Sequence, residues 1–362
     1  MGLELTWRLE EFREIVNEYF PVVDLWFDDG RPAFVVQVAP DSQQRFLQLR
    51  QRLEPLGYLP LLRRRDGKEL IRFVPRPAAR GWRWEINAAM FALTLVTTSV
   101  AGYSQAAWLA ERGYLSSAWG GALAFSLSLM LILGTHEAAH KVVSVVRGID
   151  ASLPYFIPMP PPFPFGTMGA VIITRTPAPN RNSLMDLGAS GPIAGFVVAV
   201  IVVIVGLTKS FALSPDAIRG EAFLGLPDPL LIRWLAALLL DIPEDALLFS
   251  HPILSAGWVG LLVTSINLLP VSMLDGGHAI RALAGGRVHR IVSWTGVAAA
   301  LVLRYWVMAA LLAAVMLVLR REHPGPMDDV SPIHPSRVAL AVVLLVIFIV
   351  SAIPIEVTLV RP

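Results

Sequence analysis

The chain has 362 residues, of which 55% are hydrophobic and 16% are charged, and its mean hydropathy is +0.59. About a quarter of the residues of a typical soluble domain are charged, so this composition excludes an ordinary soluble protein and indicates a membrane protein with several spans. The formal net charge of +2 does not favour nucleic acid as a partner, and the absence of cysteine excludes disulfides, thiolate ligands and a cysteine nucleophile.

The first 76 residues are predicted to form a small soluble α+β domain. Apolar residues recur at helical spacing as far as Tyr19, and two pairs of alternating segments are joined by the turns Asp28-Asp29-Gly30 and Asp66-Gly67. Between the pairs, Asp41 begins a capping box, and Gly57 ends the helix that follows. The domain is predicted to be either a binding or regulatory module or a plain folding cap. The predicted order is α-β-β-α-β-β, with strands at residues 22–27, 32–38, 58–62 and 69–74.

Arginine is concentrated just before the first predicted span, residues 84–103. The positive-inside rule places such clusters in the cytoplasm, so we predict that the N-terminal domain is cytoplasmic. The second predicted span, residues 120–146, then returns to the cytoplasmic side. Lys141 and Arg147 lie near its end and can extend to that face, which agrees with this orientation.

The second predicted span is uncharged until it reaches His136-Glu137-Ala138-Ala139-His140. Positions i and i+4 of a helix lie on one face, so both imidazoles can bind one metal ion, and Glu137 can reach a water on that ion. His-Glu-x-x-His on a helix is typical of zinc-dependent peptide hydrolases, although on a soluble helix it is often only a surface triplet. Three ionisable groups in an apolar span are costly unless they are used, and we therefore predict a metal site inside the membrane.

Residues 153–164 are apolar but contain a proline every few residues, which excludes a regular helix. They lead to residues 166–174, which are predicted to form a strand. Irregular backbone at membrane depth is tolerated only where it is buried in protein or lines a wet cavity, so we predict a re-entrant loop and strand beside the metal site. The strand edge at Gly169 is predicted either to pair with an extended substrate peptide or to belong to a structural plug. If it pairs, Gly169→Pro is expected to abolish cleavage without unfolding the protein.

Further apolar stretches complete a fold that is predicted to be mainly α, a polytopic helical membrane bundle of about six or seven spans. The run 291–319 contains Arg304, whose burial in mid-membrane costs roughly 3 kcal/mol, so this run is predicted to be either one tilted helix or two short helices that turn near Arg304. The remaining predicted segments are a span at 186–207, an outer segment at 209–251, a span from 252, a polar proline-rich loop at 324–335 and a last span at 338–353.

The span that begins near residue 252 is predicted to break at Pro270, which lacks a backbone donor. Gly276 and Gly277 permit a tight turn after it. The break presents Asn267 and Asp275 at the same cytoplasmic depth as the two histidines. Asn267 is predicted to donate to a developing oxyanion, to hold the substrate backbone, or to make a plain hydrogen bond between helices.

A catalytic zinc needs three protein ligands and one open position for a reactive water. His136 and His140 provide two ligands, and Asp275 is the best candidate for the third, with His278 as the alternative. Zinc lowers the pKa of its water and polarises the scissile carbonyl, and Glu137 is predicted to take the water's proton and deliver it to the leaving amine. The predicted cofactor is one zinc ion per chain. The loop histidines are predicted to lie outside the site; they are His289, His323 and His334.

Two other functions are compatible with part of this pattern. A membrane transporter could use buried His, Glu and Asp as an ion or proton relay, but a relay needs no pair of histidines at i and i+4 beside a glutamate. A zinc-binding pseudoenzyme could hold membrane partners without cleaving them, but the catalytic set is complete. Stoichiometric zinc that Asp275→Asn weakens favours the protease, and metal-independent ion flux favours the transporter.

Together these motifs resemble the site-2 protease family of intramembrane metalloproteases, from about residue 84 to the C-terminus. The resemblance rests on His-Glu-Ala-Ala-His at 136–140, on Gly191-Pro192, and on Asn267-x-x-Pro270 followed by Leu274-Asp275-Gly276-Gly277. The proline-rich segment, the stretch 166–171 and Asn180-Arg181 resemble the branch that contains the plastid yellow-green/gravitropism proteases and their prokaryotic relatives.

The resemblance implies that zinc is held by His136, His140 and Asp275, with Glu137 as the base. It also implies regulated intramembrane proteolysis, in which the transmembrane helix of a membrane-protein substrate is cut near the cytosolic side. We therefore expect a multi-pass protein of a prokaryotic cell membrane, with a soluble cytosolic domain at residues 1–76 and a transmembrane metalloprotease domain at 77–362. No PDZ insertion is evident, so the N-terminal domain is the candidate for gating.

Overall fold

The computed structural model describes residues 2–28, 31–78, 81, 83–213, 223–225, 227–241, 247–302, 309–310, 313–314, 316, 323–352 and 358–360. The fold over these residues is mainly helical, as predicted, with small sheets. The described helices are α1 (Gly2–Asn17), α2 (Ser42–Leu53), α3 (Trp84–Glu111), α4 (Ala118–Val146), α5 (Arg181–Thr208), α6 (Leu230–Leu239), α7 (Pro252–Asn267), α8 (Asp275–Val302) and α9 (Pro335–Ser351). The described strands are β1 (Val22–Asp28), β2 (Arg31–Val36), β3 (Tyr58–Arg65), β4 (Lys68–Pro75), β5 (Tyr155–Pro158), β6 (Thr167–Val171), β7 (Phe211–Leu213), β8 (Phe223–Gly225), β9 (Leu247–Phe249) and β10 (Thr358–Val360).

The N-terminal elements follow the predicted order of helix, two strands, helix and two strands. The strands form one antiparallel sheet in the order β1-β2-β4-β3, over a core that includes Val16, Phe46 and Ile71. The capping box predicted at Asp41 is wrong: among the described residues the Asp41 side chain makes no capping bond, and its carboxylate instead accepts from Arg45 Nε at 2.8 Å. Part of the turn predicted at Asp28-Asp29-Gly30 lies outside the described residues.

Residues 323–334, which we call the strap, join this N-terminal sheet to the helical bundle. The backbone N–H of Leu62 donates to Met327 O at 2.9 Å, and Asp329 N–H donates to Leu62 O at 3.2 Å, so the strap runs parallel to β3. On its other side Met327 N–H donates to Ala178 O at 2.7 Å. The sequence predicted a polar loop here, but Met327 is fully buried in the core of the N-terminal sheet. The loop carries an apolar side chain at Met327 because this side chain packs into the core of the N-terminal sheet.

Replacement of Met327 by alanine is expected to destabilise the N-terminal sheet by about 2–5 kcal/mol, because the substitution leaves a cavity in a closed core. The measurement is amide hydrogen exchange of β3 and β4 in detergent, where protection is expected to fall. Met168→Ala is the matched control, since Met168 is 59% exposed and its truncation is expected to change stability by no more than about 0.5 kcal/mol. Equal protection of β3 in the two variants would contradict the assigned position of Met327.

Three helices among the described residues are long and apolar enough to cross a membrane, namely α3, α4 and α5. The shorter apolar helices α7 and α9 have 16 and 17 residues, which correspond to about 24 Å and about 26 Å, somewhat less than a bilayer core. The total of about six or seven spans therefore stays a prediction. The turn predicted near Arg304 lies outside the described residues.

Helix α4 lies at the centre of the bundle and packs on α3, α5 and α7. One face buries Phe125, Leu129 and Leu133 among these neighbours. The opposite face exposes Leu123, Leu127 and Leu131, a stripe at every fourth position that suits contact with lipid. The same helix thus presents one face to hydrocarbon and one to the protein interior.

The proline-rich segment joins two short strands, β5 and β6, and β6 lies within the strand predicted at residues 166–174. The re-entrant position of the segment in the membrane stays a prediction. Strands β5 and β6 pair antiparallel, with Phe156 opposite Ala170. The segment is fixed to α3 through side chains: Asn87 Nδ2 donates to Leu153 O at 3.0 Å and to Pro154 O at 2.8 Å, and Thr97 Oγ1 donates to Gly166 O at 2.7 Å. Backbone groups that a helix would satisfy internally are satisfied here by α3.

Candidate metal centre

Helix α4 carries the first three residues of the site. It is regular through the motif, so His136 and His140 project from the same face, with their ring centroids 4.8 Å apart and their Nε2 atoms 3.1 Å apart. His136, Glu137 and His140 are 4%, 5% and 8% exposed. Polar groups that are so deeply buried need hydrogen-bond partners, an opposite charge or a metal ion.

Asp275 is brought to the histidines by the interruption between α7 and α8. Helix α7 ends at Asn267, and α8 begins at Asp275 after an irregular loop. The Asp275 carboxylate bridges the imidazoles: Oδ2 lies 3.2 Å from His136 Nε2, and Oδ1 lies 3.2 Å from His140 Nε2. The interruption predicted at Pro270 is present, and it places the carboxylate where a third ligand is needed.

The prediction of a tight turn at Gly276 and Gly277 is wrong. Both glycines lie in the first turn of α8, and the left-handed residue of the loop is Ser272, with φ 48°. A Cβ on Gly276 would lie 2.0 Å from Leu268 O. These glycines therefore allow the close approach of α8 to the end of α7, which sets the position of Asp275.

Helix α5 closes the site behind His140. His140 Nδ1 lies 2.8 Å from Leu187 O, so this nitrogen carries the proton and donates it, and Nε2 is left with a free lone pair. A Cβ on Gly191 would lie only 2.1 Å from His140 Nε2. Glycine at this position is what lets the backbone of α5 reach the imidazole.

The donor set fits zinc. In a tetrahedral site with zinc–nitrogen bonds of about 2.0–2.1 Å, neighbouring ligand atoms are about 3.3 Å apart. The two Nε2 atoms are 3.1 Å apart, and each lies 3.2 Å from an oxygen of Asp275, which agrees with that spacing. The three candidate ligand atoms lie within 4.8 Å of one another. Two imidazoles and one carboxylate leave the fourth position open, as in catalytic sites.

A cavity of about 150 Å³ lies against these residues. Glu137 lines it, with Oε1 4.0 Å from His136 Nε2. Asn267 lines it as well, with Nδ2 3.5 Å from His136 Nε2. The structure therefore brings together His136, Glu137, His140, Asp275 and Asn267. It also brings His278 to the cavity wall.

Gly169 is not among the described residues that line the cavity. The next residues of the strand line it instead: Ala170, Val171 and Ile172. Gly169 has φ 96°, a conformation that proline cannot adopt. Gly169→Pro is therefore expected to distort the hairpin itself, so the expectation that it leaves the fold intact does not fit this backbone.

Sequence reasoning missed two groups that contact the residues around the cavity. The Leu187 carbonyl acts through the backbone, and no residue type signals it. His323 was placed in a loop outside the site, but its Nε2 lies 2.7 Å from His278 Nδ1. His289, also predicted to lie in a loop, is buried in α8. In the sequence, the signal for this cluster was the presence of three histidines, His278, His289 and His323, in segments predicted to lie on the cytoplasmic side.

A buried pair of histidines at i and i+4, a distant carboxylate and an adjacent glutamate form an arrangement that is typical of zinc metalloproteases. The sequence pattern of peptidase family M50 matches residues 124–312, more than half of the chain. The chain belongs to peptidase family M50, in agreement with its resemblance to the site-2 proteases.

Known relatives support the same class. The chain is 29% identical over 250 residues to the protein named probable zinc metalloprotease EGY1, chloroplastic, of Arabidopsis thaliana, a match that covers 65% of this chain and 43% of that protein. It is 31% identical over 173 residues to probable zinc metalloprotease EGY2, chloroplastic, of Oryza sativa subsp. indica, covering 45% of this chain and 29% of that protein. The chain thus spans less than half of the length of these relatives. No solved structure matches.

Proposed function

We propose that the protein is an intramembrane zinc metalloprotease that hydrolyses peptide bonds in or near the transmembrane segments of membrane-protein substrates. The observation that supports this most directly is the convergence of two imidazoles and one carboxylate beside Glu137, at the wall of a cavity within the helical bundle. A relay of protons or ions has no need for three groups that meet at the spacing of metal ligands.

His136, His140 and Asp275 hold the ion, and Leu187 O fixes the orientation of one imidazole. The zinc, when bound, acts as a Lewis acid on the scissile carbonyl and lowers the pKa of water. Glu137 accepts the proton of the attacking water and passes it to the leaving amine. Asn267 donates a hydrogen bond to the carbonyl oxygen of the substrate as it gains negative charge.

The hairpin strand β6 supports the binding of an extended substrate. Residues 170–172 run along the cavity, and β5 pairs with the strand on its other side. A transmembrane helix must be locally unwound before its backbone can reach a zinc site, and pairing with a strand edge satisfies the backbone groups that unwinding releases. The substrate partner is accordingly a membrane protein with a transmembrane helix.

The membrane setting of the proposal follows the charge pattern. Arginines precede α3, so the N-terminal domain, residues 1–76, is assigned to the cytoplasm, and residues 77–362 form the protease domain in the bilayer. We assign the protein to a prokaryotic cell membrane and to regulated intramembrane proteolysis.

Arg50 of the N-terminal domain donates to Gly148 O, just after the end of α4. This is a direct contact through which that domain can influence the helix that carries the proposed metal ligands.

The test uses purified protein in liposomes with a panel of single-span substrates. Cleavage is expected to stop with a chelator and to return when zinc is added. Glu137→Gln is expected to lower the rate by about 10²–10⁴-fold and to leave one zinc per chain, because the glutamine keeps the shape of the side chain and loses only the base. Cleavage that survives both the chelator and Glu137→Gln would overturn the mechanism, and metal-independent ion flux would instead favour the relay.

A further inference from the structure

Three histidines outside the proposed ligand set meet behind the cavity. His278 Nδ1 lies 2.7 Å from His323 Nε2, and the ring centroids of His289 and His323 are 5.4 Å apart. His289 Nε2 lies 3.0 Å from Ser272 O and so donates to it. The imidazoles therefore connect the first turn of α8 to the start of the strap.

The hydrogen bonds determine which nitrogen of each imidazole donates and which accepts. Gly325 N–H donates to His323 Nδ1 at 3.0 Å, so that nitrogen has no proton. The proton of neutral His323 must then be on Nε2, from which it is donated to His278 Nδ1. His278 Nδ1 is thus an acceptor, and the proton of neutral His278 is on its other nitrogen, Nε2.

His278 itself lies on the wall of the active-site cavity. His278 follows Asp275 by three positions in α8, so the two side chains share a helix face. Both line the cavity with Glu137 and Asn267. His278 Nδ1 is engaged with His323, which is not among the described residues that line the cavity, so Nε2–H is the group that the ring can offer within it.

We propose that His278 is a catalytic residue that donates a hydrogen bond from Nε2 to the carbonyl oxygen of the scissile peptide as that oxygen becomes negatively charged. His323 is a positioning residue that fixes the tautomer and orientation of His278. This inference rests on the proposed proteolytic function. It replaces the earlier alternative of His278 as a metal ligand, because Asp275 already completes the ligand set and His278 Nδ1 is occupied.

The assignment gives the oxyanion two donors from different elements. Asn267 comes from the end of α7 and lies on the His136 side, whereas His278 comes from α8 beyond Asp275. Two preorganised donors on a buried oxyanion each stabilise the transition state more than the ground state.

The first experiment measures kinetics and zinc content of His278 variants in the full-length protein. His278→Phe is expected to lower kcat by about 10²-fold, to change KM by less than about threefold, and to keep one zinc per chain. His278→Gln, which retains an N–H donor, is expected to recover part of the loss. His334→Phe is the matched control on an exposed histidine and is expected to leave kcat unchanged. An unchanged kcat in His278→Phe, or loss of zinc together with activity, would overturn the proposal.

The second experiment reads the tautomer directly and needs no turnover. Nitrogen NMR of histidine-labelled protein, assigned by difference with His278→Phe, is expected to show His278 with its proton on Nε2. His323→Phe is expected to convert this signal to a mixture of tautomers and to lower kcat, and His323→Gln, which keeps a donor, is expected to preserve both. A proton on Nδ1 of His278 in the unsubstituted protein would refute the assignment. If the unsubstituted protein cleaves no substrate, the proposed function fails, but the tautomer measurement still decides whether the histidine chain exists.

Discussion

Substitution of Gly191 by alanine is expected to lower zinc occupancy and to lower the rate of hydrolysis by at least about 10²-fold. The added methyl group would lie 2.1 Å from His140 Nε2 and 2.6 Å from two ring carbons of the same side chain, so either the imidazole or α5 must move. His140 cannot move and keep both its ligand position and its bond from Nδ1 to Leu187 O. A displacement of about 1 Å at a catalytic centre is enough to lower the rate by about 10²-fold.

The matched control for this prediction is Gly134→Ala in α4. Among the described residues, no atom outside the local helix lies within 4 Å of the Cβ that this substitution adds, so zinc content and rate are expected to stay unchanged. Helix propensity alone favours alanine at such a position by about 1 kcal/mol. Zinc content by elemental analysis and the initial cleavage rate are measured for both variants. Full zinc occupancy in the Gly191 variant would show that α5 does not support the site as described.

Asp275→Asn is expected to lower zinc affinity by more than about 100-fold and to abolish cleavage at ordinary zinc concentrations, because a neutral amide replaces one of three ligands and leaves the ion with less compensating charge. The side chain keeps its shape, so the interruption between α7 and α8 is expected to remain. Competition with a chromogenic chelator measures the affinity.

Asp186→Asn provides the comparison with another partly buried carboxylate in the same bundle. Asp186 accepts from Arg337 Nε at 3.0 Å and pairs with Arg147, so its partners are arginines and not the proposed metal ligands. Asparagine keeps the size of the side chain and can still accept hydrogen bonds from the two arginines, so α5 is expected to keep its position and zinc affinity is expected to stay unchanged. Equal zinc affinity in Asp275→Asn and the unsubstituted protein would rule out Asp275 as a ligand.

The local part of the site was predictable from the sequence because it depends only on helical geometry. His136, Glu137 and His140 lie within five consecutive residues, and a helix of any register brings the two histidines to one face. Asp275 required one more step, in which Pro270 interrupts an apolar span and leaves a carboxylate at membrane depth. The family assignment agrees with this combination, whereas the roles of the individual residues await the experiments above.

The contributions that were not predictable depend on tertiary contacts. The acceptor for His140 is a backbone carbonyl, at Leu187, and every residue type has one. The glycine pair after Asp275 read as a turn because glycine permits left-handed backbone, but the reason for Gly276 is the nearby carbonyl of Leu268. Met327 and His323 belong to a proline-rich stretch. The partner of Met327 lies more than 200 positions earlier in the chain, and the partner of His323 lies in α8. Composition alone gave no sign of those partners.

The strap connects the N-terminal sheet to the C-terminal part of the helical bundle. One continuous backbone leads from His323, through the residues docked on β3, to the first turn of α9. Arg281 of α8 clamps its middle through two bonds to Asp329, of 2.8 Å and 2.7 Å. Deletion of residues 1–76 would remove the core that covers Met327 and the backbone bonds between Leu62 and the strap. A change in activity of the shortened chain would therefore report on the loss of this packing as well as on any regulation by the N-terminal domain.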